Sequence, residues 1–568
     1  MRAMGAVVAL LACAALTAQN PQAVRGGPGV SQAAKLYRIA GTVTNSVTGE
    51  AVSAATLTVY AGEPRHEVQT ILTDAEGHFE LNPLPAAKYS LRASRRGYLT
   101  SNFDQHEQYS SAIVTGEGQD TEHIPFHLSP GATIRGVVTD DAGEPVENAN
   151  VLLMRKTKNG GLGEHLVKAI SGVTDDAGLF EYWDLAPGTY FLAVKATPWY
   201  ALHPLASEMS GGLSEEQRNA MAVLDVAYPV TYYGSVTDEA AATPITIKSG
   251  ERVEANMSLH AVPAVHLTMH IDEKTIEVER EAARLGVITH VEYRGMGSRM
   301  LEQSIFGDQN FPTVTAAQPG PPGSGLLELA GIAPGHYSVM DGDPPRLTEF
   351  DATGDQVADL SSGAPTFSVD VKVKMADGSA PPQGMRLLLL SDGAIPKAIF
   401  TPMGIPPDLH FVAVPPGRWN MMAQGSGQLL TVASIQSGAE AKADSRIVVK
   451  DHGLTVTAVV EVDKTNLAGF AKKNGKGEAG VMVVLVPRDP AARLNEFRRD
   501  QSDSDGSFLL RNVAPGDYTA VAIEDGWELE WARPEVISRY LHDGTPVTVT
   551  TSSGSEMQLS APVAVQPH

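Results

Sequence analysis

The sequence predicts an all-β protein, a tandem array of about five antiparallel β-sandwich modules with one short helical insertion in the second. Three observations carry that expectation. First, the same punctuation recurs in Thr73-Asp74…Gly77-His78-Phe79…Tyr89, Thr174-Asp175…Gly178-Leu179-Phe180…Tyr190 and Ser502-Asp503…Gly506-Ser507-Phe508…Tyr518. Asp and Tyr are 15 positions apart in each copy, and Phe and Tyr 10. Second, residues between these marks alternate with period two, as on a strand. Third, Pro-Gly pairs interrupt the alternation at a constant place. A fixed repeat of this kind marks a recurring module rather than one large domain.

Each element follows from local chemistry. Asp-x-x-Gly makes a tight turn, because Asp bonds the backbone two residues on and Gly accepts positive φ. The next run reads as a strand with Phe180, Tyr182 and Asp184 on one face and Glu181, Trp183 and Leu185 on the other. Pro187-Gly188 and Pro515-Gly516 then suggest a turn, and Tyr190 to Val194 and Tyr518 to Ala522 resume a strand. The expected unit is a β-hairpin with a Pro-Gly turn. Two worn copies follow the template, at Ala333-Pro334-Gly335-His336-Tyr337 and at Val414-Pro415-Pro416-Gly417-Arg418 before Trp419. In the first copy Ala87 replaces Gly, which favours a type I turn there.

Along the chain, Arg2 and the apolar run Ala6 to Leu16 read as a signal peptide over residues 1–18, cleaved after Ala18. Leu10-Leu11-Ala12-Cys13 offers a second reading, a lipobox with Cys13 lipidated. Residues 19–35, rich in Gln, Gly and Pro, read as a linker. Modules are expected at 36–130, 131–262, 263–365, 366–452 and 453–568, the third and fourth degenerate. The second carries an insertion in which Ser214-Glu215-Glu216-Gln217 is a capping box opening a helix through Val223. The fifth is expected to open with the strand Leu454 to Val460.

Composition narrows the function. Charged residues are 19% and hydrophobic residues 43%, so the chain can bury cores. The 66 acidic against 43 basic residues give a net charge of −23, which disfavours nucleic acid and anionic lipid as partners. Cys13 is the sole cysteine, so the modules are expected to hold together by sheet packing without disulfides. No apolar run is long enough for a transmembrane helix.

The string Gly136-Val137-Val138…Gly143-Glu144-Pro145-Val146…Ala149-Asn150-Val151…Thr174-Asp175…Gly178…Phe180…Leu185 to Tyr190 resembles carboxypeptidase regulatory-like domains. The resemblance implies transthyretin-like (prealbumin/Ig-like) sandwiches of the carbohydrate-binding-like fold group. It is close in modules one, two and five and confined to the turn in three and four. The whole chain is similar to multi-module exported proteins of soil bacteria such as acidobacteria. Such domains are accessory, and the resemblance brings no catalytic residues.

Constellations for chemistry are sparse. No His-Glu-x-x-His, Gly-x-Ser-x-Gly or phosphate-loop motif occurs, so neither a metal nor any other cofactor is expected. His123 and His127 flank a strand and read as surface residues. Ser502 to Gly506 resembles half a calcium loop but has Gln501 and Asn512 where acids are wanted. The remaining candidates are the aromatic residues Trp199, Tyr200, Tyr232, Tyr233, Trp527 and Trp531, because ring faces beside carboxylates suit sugars. The recurring tyrosines read as scaffold. The expected function is non-catalytic: an exported array binding polysaccharide at the cell surface or in the periplasm. The alternative is a structural or adhesive spacer contacting a cell-surface protein.

Overall fold

The computed structural model describes residues 35–568 apart from 63, 158–164, 206–211, 271–300, 306–308, 313–315, 320–324, 342–345, 392–398, 426–429, 439, 443–444, 463–464, 491–492, 494–495 and 551–554. The signal segment, Cys13 and nearly all of the linker lie outside the described residues.

The chain is a tandem series of β modules, each with its own apolar core; the first four are built of separate sheets, and in the fifth Val563–Gln566 joins the two layers into one nine-stranded sheet. In module two the opening strand Ala132–Thr139 lies between Leu179–Leu185, antiparallel, and the closing strands Arg252–Glu254 and Met257–Ser258, both parallel. The facing sheet centres on Asn150–Thr157 and Gly188–Lys195, with His165–Val173 at its edge. Every module repeats this parallel pairing of first and last strand, so the expected purely antiparallel sandwich is mixed. The pairs are Ala40–Asn45 with Ile124–Leu128, Val265–His270 with Gln356–Asp359, Phe367–Met375 with Leu454–Val462, and Thr465–Lys473 with Glu556–Gln558. In modules one and two close approach in this pairing requires glycine, whereas the opening strands of modules three and four contain none. A Cβ at Gly41 would overlap Ile124 O, and one at Gly136 would overlap Ala255 O.

The strand Leu454–Val462 therefore belongs to module four, where Val456, Ala458 and Val460 join its core. Module five opens with Thr465–Lys473. The hydrophobic alternation of Leu454 to Val460 suits either role, and only pairing distinguishes them.

The Pro-Gly segment is not a hairpin. Leu179–Leu185 and Gly188–Lys195 lie in opposite sheets, as do Leu326–Ile332 and Gly335–Asp341, and Asp408–Val414 and Gly417–Gln424; in module five Ser507–Val513 and Gly516–Ile523 do not pair with each other and are linked through Thr465–Lys473 and Val563–Gln566. The connection is an arch from one sheet to the other. Gly188 and Gly417 have φ of 154° and 158°, far from the value of about +80° that a type II turn needs. The bend is made earlier, by a bulge six residues before the aromatic position. Asp184, Gly331, Ala413 and Asn512 hold φ of 54°, 75°, 57° and 54°, and the register with the opening strand slips there. An extra residue kinks the strand and reverses its facing. Hence Asp184 is exposed and Leu185 buried with Phe180 and Tyr182, opposite to the alternation expected beyond Tyr182.

The recurring aromatic residue closes the arch. Tyr89, Tyr190, Tyr337 and Tyr518 donate their hydroxyls to the carbonyls of Pro85, Ala186, Ala333 and Ala514, each four residues back, at 2.7–3.0 Å. Trp419 Nε1 does the same to Pro415 O at 3.1 Å. At the preceding turn, Thr73, Thr174 and Ser502 act as buried clamps. Thr174 Oγ1 donates to Val146 O at 2.6 Å and accepts from Ala149 N at 2.9 Å, and Thr73 and Ser502 repeat the pattern. Asp74 and Asp175 each accept from backbone N–H groups two and four residues on.

Two sheets are buried on both faces. Val151 to Met154 and Met482 to Val486 are continuous buried runs, as in strands covered on both sides. In module two the insertion covers the outer face, where Val230 and Tyr232 pack on Leu152, Met154 and Ala193. It also contains helix α1, Glu215–Val223, whose capping box forms as expected: Ser214 Oγ accepts from Gln217 N and Gln217 Oε1 from Ser214 N. In module five the cover is the loop around Trp527 and Trp531 together with helix α2, Pro534–Leu541, which the sequence reading did not anticipate.

Candidate functional site

The first and fifth modules, nearly 400 residues apart in sequence, dock on each other. Docking uses the fifth copy of the repeated turn. In modules one and two the turn aspartate bonds its own backbone. In module five Asp505 Oδ1 takes that part by accepting from Ser507 N at 2.9 Å, which releases Asp503. Asp503 Oδ1 then accepts from Ala112 N of module one at 2.7 Å and Oδ2 from Lys88 Nζ at 2.6 Å. Lys88 Nζ also donates to Ser507 Oγ. Ser504 N donates to Ala112 O, Val114 N to Ser504 Oγ, and Ser111 Oγ to Ser502 O. The half-calcium-loop thus spends its two aspartates on protein donors. Among the described residues no group of three His, Cys, Asp or Glu is placed to hold a metal ion.

A second contact surrounds Arg499. Its side chain is 4% exposed and pairs with Glu107 of module one at 2.6 Å. The guanidinium carbon lies 4.2 Å from the Trp531 ring centroid and 5.1 Å from that of Tyr109. His106 of module one stacks on Trp527 at 4.9 Å with rings 8° from parallel, and Gln501, fully enclosed, bonds Asp104, His106 and Ser111. The interface is polar and buried, and its charged and amide groups are paired, the condition under which buried polar groups stabilise rather than cost, while Trp531 Nε1 beside it is buried without a partner among the described residues.

Burial acts on its carboxyls. Desolvation pushes Asp500 up to about 6, against the pull of the Leu509 and Gln501 N–H groups, with Asp503 adding repulsion and Arg511 opposing it. Asp503 is raised by the same cause, opposed by Lys88. Folding therefore favours protonated Asp500. That contribution is complete below the ordinary carboxylate value of 3.8 and is lost as pH rises through about 6. The melting temperature of the wild-type chain should fall across this window, and Asp500→Asn, which keeps an acceptor for Leu509 N, should flatten the fall. Differential scanning calorimetry from pH 4 to 7 measures both, and an equal slope in the variant would assign the fall elsewhere.

Beside this junction opens a cleft of about 1050 Å³ walled by three modules. Module one lines it with Thr100, Ser101 and Gln105 to Gln108, module two with Arg155 to Thr157 and Ala186 to Thr189, and module five with Trp527 and Glu528. Arg155 is set by the arch of module two, donating from Nη2 to Pro187 O at 3.0 Å, while its Nε is buried with no hydrogen-bond partner.

The aromatic candidates are dispersed. Trp527 lines the cleft, stacked on His106 and donating from Nε1 to Gly480 O. Trp531 is 8% exposed within the outer core of module five, edge-on to Phe497. Tyr232 is 4% exposed under the insertion of module two, and Tyr233 packs partly buried against the main core. Trp199, 82% exposed, stands edge-on to Tyr200 at 5.7 Å. Those two follow Lys195, at the end of Gly188–Lys195 away from Arg155 and the cleft. His127 Nδ1 meets Thr44 Oγ1 at 2.8 Å and His123 pairs with Asp120. The sequence reading missed the cleft because its walls come from positions about 50 and 400 residues apart. Asp503 was hidden by being one copy of a scaffold motif.

The model of the carboxypeptidase regulatory-like domain family matches residues 38–128, which is module one. No curated protein matches the chain. Among solved structures, the chain is similar to the TIE protein of Bacillus anthracis at 11% identity and a TM-score of 0.17, covering 76% of this chain and 75% of that one. It is also similar to a streptococcal ancillary pilin at 12% identity and a TM-score of 0.19, covering 53% and 98%. A third is the minor pilin of Streptococcus agalactiae at 12% and 0.20, covering 40% and 97%. Scores this low carry no argument, and the fold class rests on the strand order itself. No helix among the described residues is long and apolar enough to cross a membrane.

Proposed function

We propose that this chain is a non-catalytic, exported scaffold that binds polysaccharide in the cleft between modules one, two and five. The observation carrying this reading is the cleft itself: three modules converge on one hollow whose walls offer hydroxyl, amide and charged groups beside the stacked His106–Trp527 pair. Hydroxyl and amide groups match sugar hydroxyls, and an aromatic wall suits C–H faces. Docking of the first module on the last supports a compact binding body over an extended spacer. Export rests on the signal-like segment of residues 1–18.

Affinity electrophoresis of the full chain through plant and bacterial polysaccharides tests the proposal. At least one glycan should retard the wild type, and Ser101→Trp, which fills the cleft from a partly exposed position, should abolish retardation with an unchanged circular dichroism spectrum. Retardation equal in both proteins would move the site out of the cleft, and no retardation by any glycan would end the carbohydrate reading.

A second reading has one observation in its favour. The edge strand His165–Val173 leaves Val167, Ile170 and Val173 exposed along an edge that pairs with no second strand among the described residues, and such edges accept strands from other proteins. Protein-protein contact through module two would serve an adhesive or structural role.

A further inference from the structure

The cleft does not end at the junction. A second hollow of about 450 Å³ on module one is lined by Tyr60, Arg65, Arg92 and Asn102 and shares Thr100, Ser101 and Gln105 with the first. The two form one groove running from the three-module junction over the outer face of module one. Its charge is opposite to that of the chain. Arg65, Arg92, Arg155 and Lys156 line it, whereas its acids are Glu107 and Glu528, and Glu107 is held by Arg499. This concentration of cations occurs in a protein with net charge −23.

The three arginines are available to a ligand. Arg65 and Arg92 are exposed and, with Arg155, make no ion pair among the described residues. Arg155 is positioned by its bond from Nη2 to Pro187 O, with its Nε buried behind the wall. Guanidinium forks match carboxylates in two-point geometry, and the Thr100, Ser101 and Gln105 groups between them match hydroxyls.

From this pattern we infer that the groove takes an acidic polysaccharide, a chain whose sugar rings carry carboxylates, with Arg65 and Arg92 at one end and Arg155 and Lys156 at the other. The inference rests on the carbohydrate reading above and narrows it to a substrate class. Nucleic acid offers anions as well, but the acidic body around the groove opposes a long phosphate backbone.

The test titrates the full chain with polygalacturonate, a neutral galactan and poly-glutamate by isothermal calorimetry at low and moderate salt. Polygalacturonate should bind, weaken with added salt, and lose about tenfold in affinity in the double variant Arg65→Gln, Arg92→Gln, the equivalent of one charge-assisted hydrogen bond. Both side chains are exposed, so the variant should fold as the wild type does. Galactan bound as tightly as polygalacturonate, or bound with no effect of the double variant, would overturn the acidic assignment and leave the carbohydrate reading standing. Poly-glutamate bound as tightly would reduce the groove to a general anion site and overturn the inference. Failure of every glycan would remove both readings together.

Discussion

Replacing Arg499 by alanine should release module one from module five. The Arg499 side chain fills the space between Trp531 and Tyr109 and neutralises Glu107, whose own side chain is 16% exposed. Truncation removes the cation and leaves Glu107 in a partly buried site without its partner. Breaking a buried pair from one side costs about 3–5 kcal/mol, and the lost ring contacts add to that. The remaining interface, around Lys88 and Asp503, does not involve Arg499. Partial separation should therefore appear as a larger radius of gyration in solution scattering and as a separate, earlier melting transition. Arg499→Lys keeps the charge but neither the two-point fork nor the flat stack, so it should fall between the two. Unchanged scattering and melting in the alanine variant would mean that the Arg499 cluster does not hold the modules together.

Thr174→Val should destabilise module two by about 2–4 kcal/mol, since two buried backbone groups lose their partner at about 1–3 kcal/mol each. The hydroxyl both donates to Val146 O and accepts from Ala149 N, and the residue is 2% exposed. Valine has nearly the same volume, so the effect isolates the hydroxyl from packing. Thr44→Val, at a site where the hydroxyl meets the His127 ring at the surface, serves as the contrast and should cost well under about 1 kcal/mol. Urea unfolding of the two variants decides the matter, and equal midpoints would show that the clamp contributes nothing. Because Thr73 and Ser502 make the same pair of bonds, Thr73→Val and Ser502→Ala should lower the stability of modules one and five in the same way.

Much of the architecture was legible because it is local. The turn chemistry of Asp175 and Gly178, the capping box at Ser214 and the structural nature of Tyr190 all depend on residues within a few positions of one another. What was not legible depends on pairing. Period-two alternation says that Leu454 to Val460 is a strand but not that its partner is Phe367–Met375. A Pro-Gly pair between two strands reads as a hairpin unless the bulge at Asp184 is recognised, and Asp at left-handed φ looks the same in sequence as Asp on a strand. The tryptophan candidates illustrate a signal that was present and unused. Met482 to Val486 is apolar without interruption, so its outer face had to be covered, and Trp531 stands in the segment that covers it. Asp503 shows the opposite case, since nothing at its own position separates it from Asp74 or Asp175.

The arrangement of modules one, two and five underlies both the cleft and the groove, and one distance tests it. A Cys13→Ser chain carrying spin labels at Glu117 of module one and Glu535 of module five, both exposed and outside the interface, can be measured by double electron–electron resonance. Docked modules predict a single narrow distance distribution that broadens and lengthens in Arg499→Ala. A broad distribution in the otherwise wild-type chain, unchanged by Arg499→Ala, would contradict the closed arrangement and with it the site.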